Sequence, residues 1–190
     1  MQKSLINSRM NIGKAETNGI PITIAMYVMM FAYALSTTLI GPLVIVFIKQ
    51  YGISLADNGL VTLGQGIGGV LFLIMGIFYG DRLSKPTWII ITFSLYSVSI
   101  GILGFASAYF QIVILFFFIG ASTRMLDAMM NAYIADIHQE KRSFFLNILH
   151  ACYGAGALAG PMLSSLFIVE KIQINLLFFA LGIFCILTFC

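Results

Sequence analysis

The sequence predicts an all-α, polytopic membrane protein with six transmembrane helices. Of its 190 residues, 60% are hydrophobic and 9% are charged, whereas about a quarter of the residues of a soluble domain are charged. The mean hydropathy is +1.00, and the length accommodates about six spans of roughly 20 residues with short connections. Helices are favoured over a membrane barrel because the apolar runs are long and continuous, whereas barrel strands alternate over about 10 residues.

The chain divides into a polar tail and a hydrophobic unit. Residues 1–20 lack the apolar core and cleavage site of a signal peptide, so a cytoplasmic N-terminal tail is predicted. Residues 21–190 are predicted to form the six-helix transmembrane unit, with spans at about 21–47, 60–80, 87–105, 111–135, 144–169 and 172–190. The sixth span reaches Cys190 without a polar flank, which indicates truncation at its end.

The basic residues predict the orientation in the membrane. On one side of the predicted spans lie Lys3, Arg9, Lys14, Arg82, Lys85, Lys141 and Arg142, and on the other lie Lys49 and Lys171. Since basic residues concentrate in cytoplasmic loops, the N-terminus is predicted to be cytoplasmic and the protein to lie in the cell (inner) membrane.

Polar residues interrupt the first span near its middle. Ser36, Thr37 and Thr38 are followed by the Gly41-Pro42 pair, and hydroxyls that bond back to the backbone, together with Gly-Pro, favour a kink. Thr38 is a candidate substrate-binding residue. The alternative is a bent packing helix without a ligand role.

Glycines crowd the second span. Residues 64–69 formally match the dinucleotide fingerprint G-x-G-x-x-G, but the match lies inside an apolar helix rather than at a strand-to-helix turn, so we reject it. Gly64 and Gly68 instead have the spacing that lets two membrane helices approach closely. Gln65 between them is either a substrate contact or an interhelical hydrogen-bonding residue.

No feature of the sequence indicates an enzyme, a metal site, a cofactor or a nucleic-acid partner. The three cysteines, Cys152, Cys185 and Cys190, fall within apolar runs without metal-ligand or disulfide spacing. There is no set of nucleophile, base and orienting group, and no cofactor motif.

The fourth and fifth spans carry the polar residues that point to function. Arg124, Asp127 and Asn131 are spaced three and four residues apart and share one helix face. Asn147 and His150 do the same on the fifth span. Because the connecting turn is short, the two helices are expected to be antiparallel, with these polar groups at matching depths in one hydrogen-bonded cluster.

Charged residues at this depth need an explanation. An Arg or Asp near a span centre costs about 2.5–3.5 kcal/mol on insertion, and such residues usually face a cavity or a transport path. We therefore assign Asp127, His150 and Arg124 to ion coupling, with Arg124 paired to Asp127, and Asn131 and Asn147 to substrate binding together with Gln65 and Thr38. The alternatives are an ion pair that only holds helices together and a histidine that only donates hydrogen bonds.

The loop between the second and third spans resembles the cytoplasmic loop signature of the major facilitator superfamily. That signature is an Asp-Arg pair followed by Gly and basic residues. Asp81 and Arg82 fit the pair, while Ser84 stands where Gly is usual and Lys85 where Arg is usual. The resemblance implies that Asp81 and Arg82 form a charge contact that latches one conformation.

A second resemblance is to the fucose:proton symporter family and its sodium-glucose-transporter-like relatives. It is carried by residues 126–131, 146–150 and 153–157. The resemblance implies the N-terminal six-helix half of a twelve-helix transporter, with Asp127 as the proton-coupling carboxylate and Asn131 and Asn147 near the sugar path. The first span lacks the carboxylate of the fucose branch, which leaves fucose itself and the coupling ion open.

The sequence thus predicts half of a secondary active transporter that moves a sugar or related small polar solute, coupled to protons. The implied partners are the solute, a proton or sodium ion, the lipid bilayer and a second six-helix half in the same chain or another subunit. One alternative is a multidrug efflux antiporter, which the fifth-span run Gly156-x-x-x-Gly160-Pro161 partly resembles. The other is a membrane remnant that does not transport.

Overall fold

The computed structural model describes residues 19–42, 52, 54–169 and 174–188, which form six α-helices. The helices are α1 (Gly19–Pro42), α2 (Leu55–Tyr79), α3 (Lys85–Leu103), α4 (Tyr109–Ile137), α5 (Arg142–Val169) and α6 (Ile174–Leu187), with a 3-10 turn at Gly80–Arg82. The described part of the chain contains no β-strand. The all-α prediction is therefore confirmed for these residues.

Four helices within the described residues are long and apolar enough to cross a membrane. They are Gly19–Pro42, Ala56–Arg82, Lys85–Leu103 and Tyr109–Ile137. Among the rest, α6 contributes a shorter apolar stretch, Leu176–Leu187. The polytopic membrane character is supported by these four helices, and the full set of six spans stays a prediction.

The start of α2 differs from its predicted position. The second span was predicted to begin at about residue 60, but the helix already begins at Leu55. Ser54 caps it: its side chain accepts a hydrogen bond from the Asp57 amide at 3.1 Å, and the Asp57 carboxylate accepts one from the Ser54 amide at 2.8 Å. This reciprocal capping box satisfies the unpaired amides of the first turn, so polar residues here start a helix instead of forming a loop.

The remaining predicted boundaries lie close to the observed ones, with one correction at the first helix. Gly19 and Ile20 belong to α1, although they were assigned to the tail. The predicted tail residues 1–18 and the predicted helix residues 43–47 lie outside the described residues, as do 172–173 and 189–190 at the ends of the sixth span.

Helix α4 occupies the centre of the packing, since it contacts α2, α3 and α5, while α3 also packs on α6. Its approach to α2 is very close. A Cβ atom at Gly68 would overlap the backbone carbonyl of Phe117, and one at Gly120 would overlap that of Gln65. Small residues at such positions allow two helix backbones to touch. The small-residue contact predicted for Gly68 is confirmed, with α4 as its partner.

Helix α1 packs against both α5 and α3. Gly156 of α5 lies against the Phe31 carbonyl of α1, and the Tyr27 hydroxyl donates to the Phe145 carbonyl at 2.9 Å. On the α3 side, the hydroxyls of Ser36 and Tyr96 lie 2.6 Å apart, and both residues are fully buried. The central part of α1 is therefore enclosed by neighbouring helices.

Candidate functional site

The centre of the candidate site is the carboxylate of Asp127 on α4. The side chain is half-buried. Asn131, one helical turn later, donates from Nδ2 to Asp127 Oδ1 at 3.1 Å and to the Asp127 backbone carbonyl at 2.8 Å. The spacing of four residues places both side chains on one face of α4, as predicted. This pair is a carboxylate held by an amide in the interior of an apolar helix.

Arg124 does not form the expected ion pair with Asp127. Within the described residues the salt bridge that forms is between Lys85 and Asp136, and the Arg124 side chain is exposed. Its stem lies across α2 instead, where a Cβ atom at Gly69 would be 2.6 Å from Arg124 Cγ. The predicted pair is therefore absent from the described residues: the stem of Arg124 packs at Gly69, and Asn131 bonds Oδ1 of Asp127.

Tyr33 of α1 joins α3 and α5 in the interior of the bundle. Its ring centroid lies 5.6 Å from that of Tyr96 on α3 and 5.7 Å from that of Tyr153 on α5. The side chain is buried. The sequence does not single out Tyr33, because one tyrosine in an apolar span resembles core packing. The one signal in the sequence that could have pointed to Tyr33 is that a hydroxyl in the middle of a span needs a polar neighbour.

The predicted hydrogen-bonded cluster between α4 and α5 does not form. Asn147 and His150 are exposed on α5, and among the described residues no hydrogen bond joins them to Asp127 or Asn131. The physical reason is that Asn147 and His150 lie on an exposed face of α5, whereas Asp127 and Asn131 are half-buried on α4. The matching depths expected from the sequence therefore do not become direct contacts.

Gln65 and Thr38 lie at helix contacts. Gln65 is half-buried, and its backbone carbonyl faces Gly120. The Thr38 hydroxyl donates to the Ala34 carbonyl at 2.8 Å and faces Gly160 of α5. The prediction that hydroxyls of this segment bond back to the backbone is confirmed at Thr38. Substrate binding by Gln65 and Thr38 stays a prediction.

The start of α3, directly after the loop from α2, contacts α4 through a residue pair that the sequence did not identify. Asp81 and Arg82 are exposed, and Arg82 Cζ lies 4.8 Å from the Tyr79 ring centroid. The ion pair is formed by Lys85 Nζ and Asp136 Oδ2. The sequence contained a signal for this ion pair. Lys85 stands at a basic position of the loop signature, and Asp136 is the acidic residue near the end of α4.

His138 is a second residue that the sequence did not single out. It is fully buried, and its Nε2 lies 2.8 Å from Thr23 Oγ1. Because the single Thr23 hydrogen is donated to the Gly19 carbonyl at 2.9 Å, Nε2 is the donor in the contact with Thr23. The imidazole also stacks on Phe145 at a centroid distance of 3.5 Å. His138 thus ties the start of α1 to the turn between α4 and α5.

Comparison with known proteins identifies the family. The family model described as Major Facilitator Superfamily matches residues 26–190. The chain belongs to the Major Facilitator Superfamily. Members of this superfamily are membrane transporters rather than enzymes, and the resemblance of the sequence to the superfamily is confirmed.

Individual relatives show the same superfamily. The chain is 24% identical over 149 residues to the Major facilitator superfamily domain-containing protein 4A of Mus musculus and to that of Pongo abelii. The match covers 78% of this chain and 29% of each relative, so the chain spans less than a third of the length of these relatives. The matches support the superfamily and do not select the fucose branch.

Proposed function

We propose that the chain is the N-terminal half of a secondary active transporter that couples movement of a small polar solute to movement of protons. The observation that supports this most strongly is the Asp127 carboxylate. It is half-buried in α4, bonded by Asn131, and has no cation partner among the described residues. A carboxylate of this kind is expensive in a membrane and marks an ion or proton path.

The position of Asp127 along α4 supports the same role. The residue lies 18 positions after Tyr109 and 10 before Ile137, which is about 27 Å and 15 Å along the helix axis. Water reaches such a depth only through a path between helices. A carboxylate there takes up a proton when the path opens to one side of the membrane and releases it when the path opens to the other.

The exposed polar side chains favour a polar solute. Asn147 and His150 lie one turn apart on α5 and are exposed, and amide and imidazole groups donate and accept hydrogen bonds with hydroxyls. A sugar or a related polyol fits this chemistry. The glycines that suggested a drug antiporter, Gly156 and Gly160, are buried against α1, which gives them a packing role.

The ion pair between Lys85 and Asp136 provides a latch in this proposal. It joins the start of α3 to the end of α4, and its rupture would free these helix ends when the transporter changes conformation. The Asp81 and Arg82 side chains remain exposed for contact with a second six-helix half, supplied by the same chain or another subunit. The N-terminus is proposed to be cytoplasmic in the cell membrane.

Uptake into vesicles tests the proposed function. A full-length protein is reconstituted in proteoliposomes with an inward proton gradient, and accumulation of neutral sugars, polyols and lipophilic cations is compared. The proposal expects gradient-dependent accumulation of a hydroxylated solute that disappears with a proton ionophore. Gradient-driven movement of lipophilic cations alone would support the drug antiporter, and no movement of any probe would support the non-transporting remnant.

A further inference from the structure

Arg124 lies deeper in the membrane than any other basic residue among the described residues. It is 15 residues after Tyr109 and 13 before Ile137, which is about 22 Å and 20 Å from the two ends of α4. The hydrocarbon core of a bilayer is about 30 Å thick, so Arg124 is near its middle. An exposed guanidinium at this depth faces a water-filled path, because facing lipid is far more costly.

The stem of Arg124 is held in place by α2. A Cβ atom at Gly69 would lie 2.6 Å from Arg124 Cγ and 3.5 Å from Arg124 Cβ, so a larger residue at position 69 would displace the arginine. The side chain as a whole nevertheless remains exposed. Gly69 therefore forms a seat for the aliphatic part of Arg124, while the residue as a whole stays exposed.

The charge on Arg124 has no direct counterion in the described part of the chain. Asp127 is the other charged residue in the middle of a described helix, and it is bonded to Asn131. The remaining charged side chains of the described helices and loops lie at helix ends, namely Asp57, Asp81, Arg82, Lys85, Asp136, Glu140, Lys141 and Arg142. A guanidinium presents a planar set of N–H donors that matches a carboxylate in a two-point contact.

We infer that Arg124 is a solute-binding residue and that the transported solute is a hydroxylated monocarboxylate, such as a sugar acid or a hydroxy acid. This rests on the proposed function. A single cation balances a single negative charge, which favours a carboxylate over a doubly charged phosphate ester. Asn131 and Asn147 bind the hydroxyls of the same solute.

This assignment also explains why Asp127 and Arg124 occur together. With Asp127 ionised, the two charges cancel and the site has little attraction for an anion. When Asp127 takes up a proton, the positive charge of Arg124 remains and binds the carboxylate. Proton uptake and anion binding therefore favour each other, which is the thermodynamic requirement for symport.

Matched pairs of probes test this inference on the full-length protein. Each pair shares one carbon skeleton and differs in charge: D-gluconate with D-glucitol, and lactate with propane-1,2-diol; glucose 6-phosphate serves as the doubly charged probe. Binding is measured on the purified protein by equilibrium dialysis. The wild type is expected to bind at least one of the two carboxylates. It should bind that acid more tightly than the matched alcohol and more tightly than glucose 6-phosphate.

Three variants make the test specific. Arg124→Gln is expected to weaken carboxylate binding by about tenfold or more, and Arg124→Lys to bind with an intermediate affinity because it keeps the charge and loses the planar fork. Gly69→Ala is expected to weaken binding although the arginine itself is retained, because the added methyl group displaces the Arg124 side chain. Arg142→Gln is the control, since it removes an exposed guanidinium at the start of α5 and should bind as the wild type does.

The inference is overturned if no carboxylate binds, if the alcohols bind as well as the acids, or if Arg124→Gln binds gluconate as tightly as the wild type. Should Arg124→Gln fail to fold, Arg124→Lys and Gly69→Ala decide the question. If proton-driven uptake of a neutral sugar is lost without Asp127 but persists in Arg124→Gln, the proposed function stands and the inference of an anionic solute is overturned. Absence of any gradient-dependent uptake would overturn the proposed function, while the binding data would still decide the role of Arg124.

Discussion

Asn131 donates a hydrogen bond to the carboxylate of Asp127 across one turn of α4, with Nδ2 and Oδ1 3.1 Å apart. The pair lies on a helix that is long and apolar enough to cross a membrane. The amide is uncharged, so this hydrogen bond leaves Asp127 without a cation partner among the described residues. The carboxylate is therefore the charged group on which the proposed coupling depends.

Replacing Asn131 by Leu should impair coupling without unfolding the protein. The substitution removes the donor to Asp127, while the half-buried position accepts an apolar side chain of similar size. We expect the initial rate of proton-driven uptake to fall by about tenfold, the effect of losing a hydrogen bond to a charged group. Asn131→Gln keeps the amide and should retain more of the rate. An unchanged rate in Asn131→Leu would show that this hydrogen bond has no part in coupling.

Tyr33→Phe should separate the function of the hydroxyl from the packing of the ring. The phenyl ring preserves the contacts with Tyr96 and Tyr153 at 5.6 and 5.7 Å, so thermal stability should match the wild type. Uptake should fall, because the hydroxyl is a polar group of α1 inside the helix bundle, where the side chain is buried. Tyr33→Leu should in addition lower stability by about 0.5–1.5 kcal/mol for each lost aromatic pair. Equal uptake by wild type and Tyr33→Phe would limit Tyr33 to packing.

A charge exchange tests the contact between Lys85 and Asp136. Each single reversal, Lys85→Asp or Asp136→Lys, puts two like charges together and should lower uptake, whereas the double exchange restores an attractive pair and should recover it. The side chains are 38% and 57% exposed, so stability should change by less than about 1 kcal/mol in every variant. The decisive quantity is the coupling between the two substitutions in uptake rate. Additive single effects would contradict a latch.

Two glycines of α5 offer a matched comparison of helix packing. A Cβ atom at Gly156 would lie 2.5 Å from the Phe31 carbonyl and 2.9 Å from Ala34 Cβ, whereas one at Gly154 meets no atom within 4 Å. Gly156→Ala should therefore destabilise the protein by about 1–3 kcal/mol, as overpacking does, and Gly154→Ala should not. Denaturant titration of the two purified variants measures the difference. Equal stabilities would mean that α1 and α5 pack less closely than described.

The helices were predictable because apolar runs of span length are a local property of the chain. Small-residue contacts were predictable for the same reason, and Gly68 meets α4 as its spacing indicated. The start of α2 was misplaced because the capping residues Ser54 and Asp57 are polar and resemble a loop. Each of these features depends on residues a few positions apart.

The arrangement around Asp127 was predictable only in part, because it depends on distant residues. Spacing along α4 allows Asp127 to pair with Arg124 or with Asn131. It does not reveal that the stem of Arg124 packs at Gly69 of another helix. Equal depth on α4 and α5 suggested direct contact, but depth does not reveal that Asn147 and His150 lie on an exposed face of α5. Sequence spacing identifies the face of a helix, and tertiary packing determines what that face contacts.

The central claim is that Asp127 carries the coupling proton, and Asp127→Asn tests it most directly. The variant keeps the size and the hydrogen bonding of the side chain and removes its ability to exchange a proton. In proteoliposomes of the full-length protein, we expect gradient-driven accumulation of the solute to disappear while exchange of labelled for unlabelled solute at equilibrium continues. Undiminished accumulation against a gradient by Asp127→Asn would contradict the account.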